Sequence, residues 1–287
     1  MTKKRDYLTL TTIVLLIVTS MAGILSIDFT KSYEIVNQYG HIVEMYGYGI
    51  YAYDTYFQAP ISIGTDICGL LVGVPMFIHS YISDSKNSDT VTKLGLIGMY
   101  ACAFYYAVSI CFGLTYNRLF LVYVALFSCS LFGMFTQIGK LKLTKTVSIT
   151  KGLGIFLILS GIALIVAWLP DVIPSMINGG TLSLIGVYTT NITYVLDMGI
   201  ISPICFLIVY LLKRKNPLGT LLLAILLKLC MLVGIMMFPQ TICQELSGCE
   251  IPLPALVTKS FSFVLLGAFA IYFYHKMKKE IRKMGEE

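Results

Sequence analysis

Eight apolar runs constrain this chain more than any other feature, because hydrocarbon leaves a backbone few ways to satisfy its own hydrogen bonds. A span needs roughly 20 mainly apolar residues to cross about 30 Å. The runs lie at about 7–27, 60–82, 94–115, 119–139, 152–169, 194–212, 218–238 and 253–274. Between them fall Lys, Asp, Asn, Gly and Pro, as connections require. None of the runs alternates as a barrel strand does, so helices are predicted. Composition agrees: 13% of the 287 residues are charged, against about 25% in soluble domains. The expected fold is an all-α polytopic bundle of eight spans in a lipid bilayer, a single membrane domain over residues 1–287.

Lys and Arg orient the bundle. With the N-terminus inside, Lys3, Lys4, Arg5, Lys86, Lys93, Lys140, Lys142, Lys145, Lys151, Lys213, Arg214, Lys215 and the five basic residues of the tail "HKMKKEIRKMGEE" all fall inside. Only Lys31 and Arg118 fall outside. That asymmetry places both termini in the cytoplasm of a cell-membrane protein. It also accounts for the net charge of +6 as a topology signal, with no nucleic acid needed. The first apolar run exceeds the 7 to 15 residues of a signal-peptide core, so it is read as a retained helix. The preference for Lys over Arg and the compact loops read as bacterial.

Two outer segments, 28–59 and 170–193, are long. In the first, Ile35, Val36, Tyr39, Ile42, Val43 and Tyr46 suggest the stripe of an amphipathic surface helix, followed by the Tyr-rich "YGYGIYAYDTYF" as an interfacial belt. The second opens on two prolines, ill suited to helix interiors, and its apolar middle is expected to dip into the bilayer or pack over the bundle. Cys243 and Cys249, in the outer stretch "PQTICQELSGCEIP", are spaced to close a short disulfide hairpin if that side is oxidising. A metal pair is the lesser alternative, since no further Cys or His stands near to complete it.

Four charges remain inside spans: Asp66, Asp197, Lys228 and Lys259. Each is worth about 2.5 to 3.5 kcal/mol against insertion at a helix centre and should face the bundle interior. From the 1.5 Å rise per residue, Asp66, Asp197 and Lys259 lie roughly 9, 5 and 10 Å below the outer edge and Lys228 near 15 Å. The expectation is that all four line one polar, outward-opening cavity. Asp54, Asp171 and Asn117 would lie near its mouth. The alternative is ion pairs that lock helices together.

Spans 2 and 6 share a pattern, each entering from a long outer segment with an early Asp and a later Pro: Asp66 with Pro75, Asp197 with Pro203. That hints at parallel repeats, a transporter architecture. The stretches "GTDICGLLVGVPMFI", "NRLFLVYVALFSCSLF" and "TYVLDMGIISP", the last followed by "LLK", resemble a group of bacterial polytopic membrane proteins over most of the chain. The resemblance brings no assigned activity and adds no catalytic residues, and the cofactors stay unknown. It ranks Asp66, Tyr123, Asp197 and Lys228 ahead of Lys259 as binding residues.

No metal-binding His pair, phosphate loop, nucleophile elbow or Cys-x-x-Cys motif is present. The first functional expectation is therefore a transporter of a small polar solute or ion, in which the carboxylates exchange a proton or cation. The alternatives are a membrane-embedded enzyme acting on a lipid-linked substrate, its paired carboxylates holding a divalent cation, or a membrane sensor or assembly partner without turnover.

Overall fold

In this computed structural model the protein is described over residues 6–182, 184–249 and 253–286, with the side chains of 253–260, 285 and 286 outside the described set. The chain is 74% helical, and among the described residues the strands are confined to one hairpin, so the all-α expectation holds. Seven helical spans are long and apolar enough to cross a membrane. They are α1 (Tyr7–Ile24); α2 (Gln58–Cys68) continued by α3 (Val74–Asn87); α4 (Thr90–Gly113); α5 (Phe120–Gly139); α6 (Lys151–Val166) followed by α7 (Leu169–Asn178); α8 (Ile192–Leu196) continued by α9 (Ser202–Lys213); and α10 (Pro217–Leu246). The expected eighth span, 253–274, lies in α11 (Leu253–Glu286), whose first turns carry side chains outside the described set.

The central helix is α4. Leu94 and Ile97 on one side join a core with Leu157 of α6, Ile208 of α9 and Leu223 of α10. Leu96, Met99, Tyr100 and Ala103 join a second core with Ile13 of α1, Phe77 of α3 and Leu126 of α5. Tight crossings are made by glycine: a Cβ on Gly234 of α10 would lie 2.8 Å from the Gly267 Cα of α11, which only two facing glycines allow.

Two helices are interrupted by a wide π turn, at Gly69–Gly73 between α2 and α3 and at Asp197–Ile201 between α8 and α9. There the Val74 N–H reaches back five residues to the Gly69 carbonyl, and the Ser202 N–H to the Asp197 carbonyl. Pro75 and Pro203 supply the cause. A proline has no N–H for the carbonyl four residues earlier and its ring crowds that carbonyl, so the preceding turn opens. The Asp-then-Pro pattern thus has the same structural outcome in both helices. The spacing differs, since Asp66 precedes its π turn while Asp197 begins its own.

The outer segments differ from expectation. Residues 33–45 form an antiparallel hairpin, β1 (Tyr33–Val36) with β2 (Ile42–Met45), in place of the amphipathic helix. The β-branched pairs Ile35–Val43 and Val36–Ile42 face one another across it. Its turn is built by Asn37, whose side chain accepts from the Tyr39 and His41 N–H groups, and by Gly40 at φ 80°. In 170–193, α7 forms despite its prolines, with Pro170 in the first turn, Pro174 inside, and no buried residue. Finally, α10 continues through Pro239 to Leu246, eight residues past its predicted end.

Candidate functional site

The two aspartates that the sequence singles out each accept from two aromatic donors. Asp66 of α2 is fully buried. Its Oδ2 accepts from the Tyr51 hydroxyl, on the short turn before α2, and its Oδ1 from the Tyr106 hydroxyl of α4. Gly23 of α1 lies so close to the Asp66 carboxylate that a Cβ there would collide with it. Asp197 is 6% exposed. Its Oδ2 accepts from Trp168 Nε1 at 3.0 Å and its Oδ1 from the Tyr105 hydroxyl at 3.3 Å. Trp168 lies between α6 and α7 and stacks on Tyr194, with ring centroids 4.4 Å apart.

Each aspartate therefore takes one bond from a turn earlier in the chain, Tyr51 before α2 or Trp168 between α6 and α7, and one from α4, where the donors are the consecutive residues Tyr105 and Tyr106. Consecutive helical positions point about 100° apart. The two carboxylates are consequently reached from different faces of α4. This corrects the expectation of a single converging ionic pocket, and it separates the paired carboxylates that a divalent-cation enzyme would need. The cavity lined by Asp171, Ile185, Tyr188 and Tyr194 touches neither Asp66 nor Asp197.

Lys228 is 7% exposed and takes another direction again. Its Nζ sits 4.6 Å from the centre of the Tyr274 ring of α11, with Lys278 the other charge in reach, and its Cβ packs against Gly98. Tyr274 and Lys278 belong to the end of α11 that meets the Lys145 and Ser148 loop. A long amine near mid-helix can extend either way, and this one extends away from the hairpin. Lys259 lies outside the described side chains. Carboxylate–ammonium pairs of the described bundle lie instead at the opposite end from the hairpin, Lys93–Asp84 and Lys140–Asp6, where Gln137 joins Lys93 at 3.2 Å to Asp6 at 2.6 Å.

Asp54, Asn117 and Tyr123 do come together, under the hairpin. Asp54 is fully buried; its Oδ1 accepts from the Thr115 N–H at 2.9 Å and the Tyr188 hydroxyl at 3.0 Å. Burial outweighs these two bonds and the nearby Thr115 hydroxyl, and raises its carboxyl from 3.8 to about 6. Burial and the facing Asp54 also hold the Tyr188 phenol protonated, well above its usual range. Asn117 Oδ1 accepts from the Leu119 N–H at 2.9 Å, and Tyr123 of α5 lies beside the Asn117 amide. Asp171, in the first turn of α7, accepts from the Tyr194 hydroxyl at 2.6 Å.

The bridge between Cys243 and Cys249 is not formed; both are free thiols. With α10 extended, Cys243 faces inward among Tyr46, Tyr51, Ala59 and Ile63, while Cys249, beyond the Gly248 turn at φ 73°, donates to the Tyr56 carbonyl.

The residues that sequence reasoning missed are Tyr51, Tyr105, Tyr106 and Trp168. Tyr51 was absorbed into an interfacial belt. Tyr105 and Tyr106 had a usable signal: two adjacent hydroxyls in the interior of a span have to find acceptors, and buried carboxylates on other spans are the obvious ones.

Comparison with protein-family models, with curated protein sequences and with solved structures finds no match for this chain. Its functional reading rests on the geometry. The helix pattern supports a multi-pass membrane protein.

Proposed function

We propose that this protein is a proton- or cation-coupled transporter of a small polar solute or ion, with Asp66 and Asp197 as its coupling carboxylates. On this reading it lies in a cell membrane with both termini in the cytoplasm and the hairpin outside, in keeping with the asymmetry of its basic residues. The observation that carries the reading is the paired arrangement on α4. Tyr105 and Tyr106 each hold one aspartate, and each aspartate adjoins a helix that a proline-driven π turn has loosened. A buried carboxylate held by hydroxyl or indole donors changes those hydrogen bonds when it gains or loses a proton, and the change is felt at once by α4. Interrupted helices are where membrane transporters bend, since a displaced backbone can be re-satisfied there. Occupancy at one aspartate thus shifts the central helix against the other.

The test uses the full chain in proteoliposomes holding a pH-sensitive dye, with proton movement followed on adding a panel of amino acids, sugars and inorganic ions. Solute-dependent proton flux is expected in the wild type and its loss in Asp66→Asn and in Asp197→Asn. A flux of equal size in both variants, or no flux with any member of the panel, overturns the reading.

A further inference from the structure

Beneath the hairpin, three buried polar atoms make no well-formed hydrogen bond, Asp54 Oδ2, Thr115 Oγ1 and Asn117 Nδ2, although the Thr115 hydroxyl lies beside the Asp54 carboxylate. They sit where the turn before α2 meets the turn between α4 and α5, and the Asp54–Thr115 bond joins those turns. Leaving such atoms unmatched is expensive, about 1–3 kcal/mol each. The set has a definite chemistry. Asp54 Oδ2 needs a donor. Asn117 Nδ2 needs an acceptor, because its Oδ1 is committed to the Leu119 N–H. Thr115 Oγ1 serves as either. A bare cation is repelled by the amide N–H and a bare anion by the carboxylate. A water molecule, which both donates and accepts, matches all three.

The group also leads somewhere. Tyr123 lies beside the Asn117 amide without completing a well-formed bond to Nδ2, and its hydroxyl is in electrostatic reach of Asp54, of Asp66, and of the Tyr51 and Tyr106 hydroxyls that hold Asp66. Asp54 and Tyr51 are three residues apart on one turn, closed by the Asp54 N–H to the Tyr51 carbonyl at 2.9 Å. The titratable groups facing Asp54 are Tyr188 from the 179–191 segment and Tyr123 from α5. Among the described residues no basic side chain pairs with it.

We propose that Asp54 is a second proton-bearing group, and that a water held by Asp54, Thr115 and Asn117 together with the Tyr123 hydroxyl relays protons between Asp54 and Asp66. This rests on the reading of Asp66 as a coupling carboxylate. In the relay, the Asp54 Oδ2–H bond breaks and its proton passes to the water. The water releases one of its own protons to the Tyr123 oxygen, and Tyr123 releases its phenolic proton into the hydroxyl group around Asp66, where a new carboxyl O–H forms. Water and phenol end with the protons they began with, reoriented. Asp54 is left as a carboxylate and regains a proton from the hairpin side.

The experiment is infrared spectroscopy of the purified full chain in nanodiscs at acidic pH, following the protonated-carboxyl bands during exchange from H2O to D2O. The wild type should show one band removed by Asp66→Asn and another removed by Asp54→Asn. The Asp66 band should shift in D2O about tenfold more slowly in Asp54→Asn and in Tyr123→Phe, the effect of one lost relay hydrogen bond. Tyr123→Phe keeps the ring and its packing, so a fold disturbed by the change at Asp54 does not decide the matter. Wild-type exchange rates in both variants overturn the relay and leave Asp66 as a proton site. Absence of any band that Asp66→Asn removes overturns the coupling role itself and the relay with it.

Discussion

The carboxyl of Asp54 makes the hairpin's attachment to the bundle depend on pH, and the sign follows from its surroundings. In an unfolded chain this carboxyl titrates at 3.8; folded and buried it titrates at about 6. Between those values the folded state binds more protons than the unfolded state, so stability falls as pH rises. The stabilisation is complete below pH 3.8 and is lost as pH climbs through about 6. Its size is the difference between 3.8 and about 6, and at about 1.36 kcal/mol per pH unit it comes to roughly 3 kcal/mol. For a chain of this length that corresponds to about 6 °C in Tm, at roughly 2 °C per kcal/mol. Asp54→Asn keeps an oxygen for the Thr115 N–H and the Tyr188 hydroxyl but never ionises. Other acids titrate over the same range, so the quantity to read is the difference in Tm between the two proteins in detergent, from pH 4 to 8. The variant should match the wild type near pH 4 and exceed it by about 6 °C at pH 7.5. Parallel curves, or a variant that is less stable at pH 7.5, would refute the claim that this carboxylate is buried with one oxygen unmatched.

Other substitutions probe the remaining parts of the structure. Gly64→Ala puts a methyl 2.5 Å from the Gln240 nitrogen and 2.7 Å from the Pro239 carbonyl carbon of α10, backbone atoms that cannot swing aside; a loss of about 1–3 kcal/mol is expected, while Gly199→Ala, with open space around it, should leave Tm unchanged. Trp168→Phe keeps the stack on Tyr194 but removes the 3.0 Å bond to Asp197, and thermal melts should show a loss of roughly 1–3 kcal/mol; a smaller effect than that of Tyr105→Phe would contradict the shorter bond. Lys228→Met exchanges a buried amine over the Tyr274 ring for an apolar chain of similar length, giving up about 0.5–2 kcal/mol of cation–π attraction against the desolvation of a charge; Tm should hold or rise, and a fall of more than about 2 kcal/mol would mean that the amine has an anionic partner.

Much of the membrane architecture is legible in the chain because hydrocarbon offers so few alternatives. Apolar runs of span length have to become helices, and the described spans fall on them, drifting only at their ends. Pro75 and Pro203 likewise announce a disturbed turn, since a missing N–H has a local consequence whatever the surroundings. The six-residue stripe of the hairpin suits a helix and a strand about equally, as short apolar patterns do, and only Asn37 and Gly40 mark its turn. Pro239 reads as a stop that would leave Cys243 in a loop, whereas packing of Pro239 and Gln240 against Gly64 accompanies the helix running past it.

The candidate site divides along the same line. That Asp66, Asp197 and Lys228 need company follows from their charge and position alone. Which company they find does not, because rise per residue gives depth but not azimuth. Asp66 and Asp197 go to different neighbours since Tyr106 and Tyr105 are one residue apart on α4, and Lys228, its stem packed against Gly98, ends over the Tyr274 ring. A one-dimensional pattern therefore determines which groups must be buried together with something, whereas the rotation of each helix about its axis, set only when all the helices pack, decides what that something is.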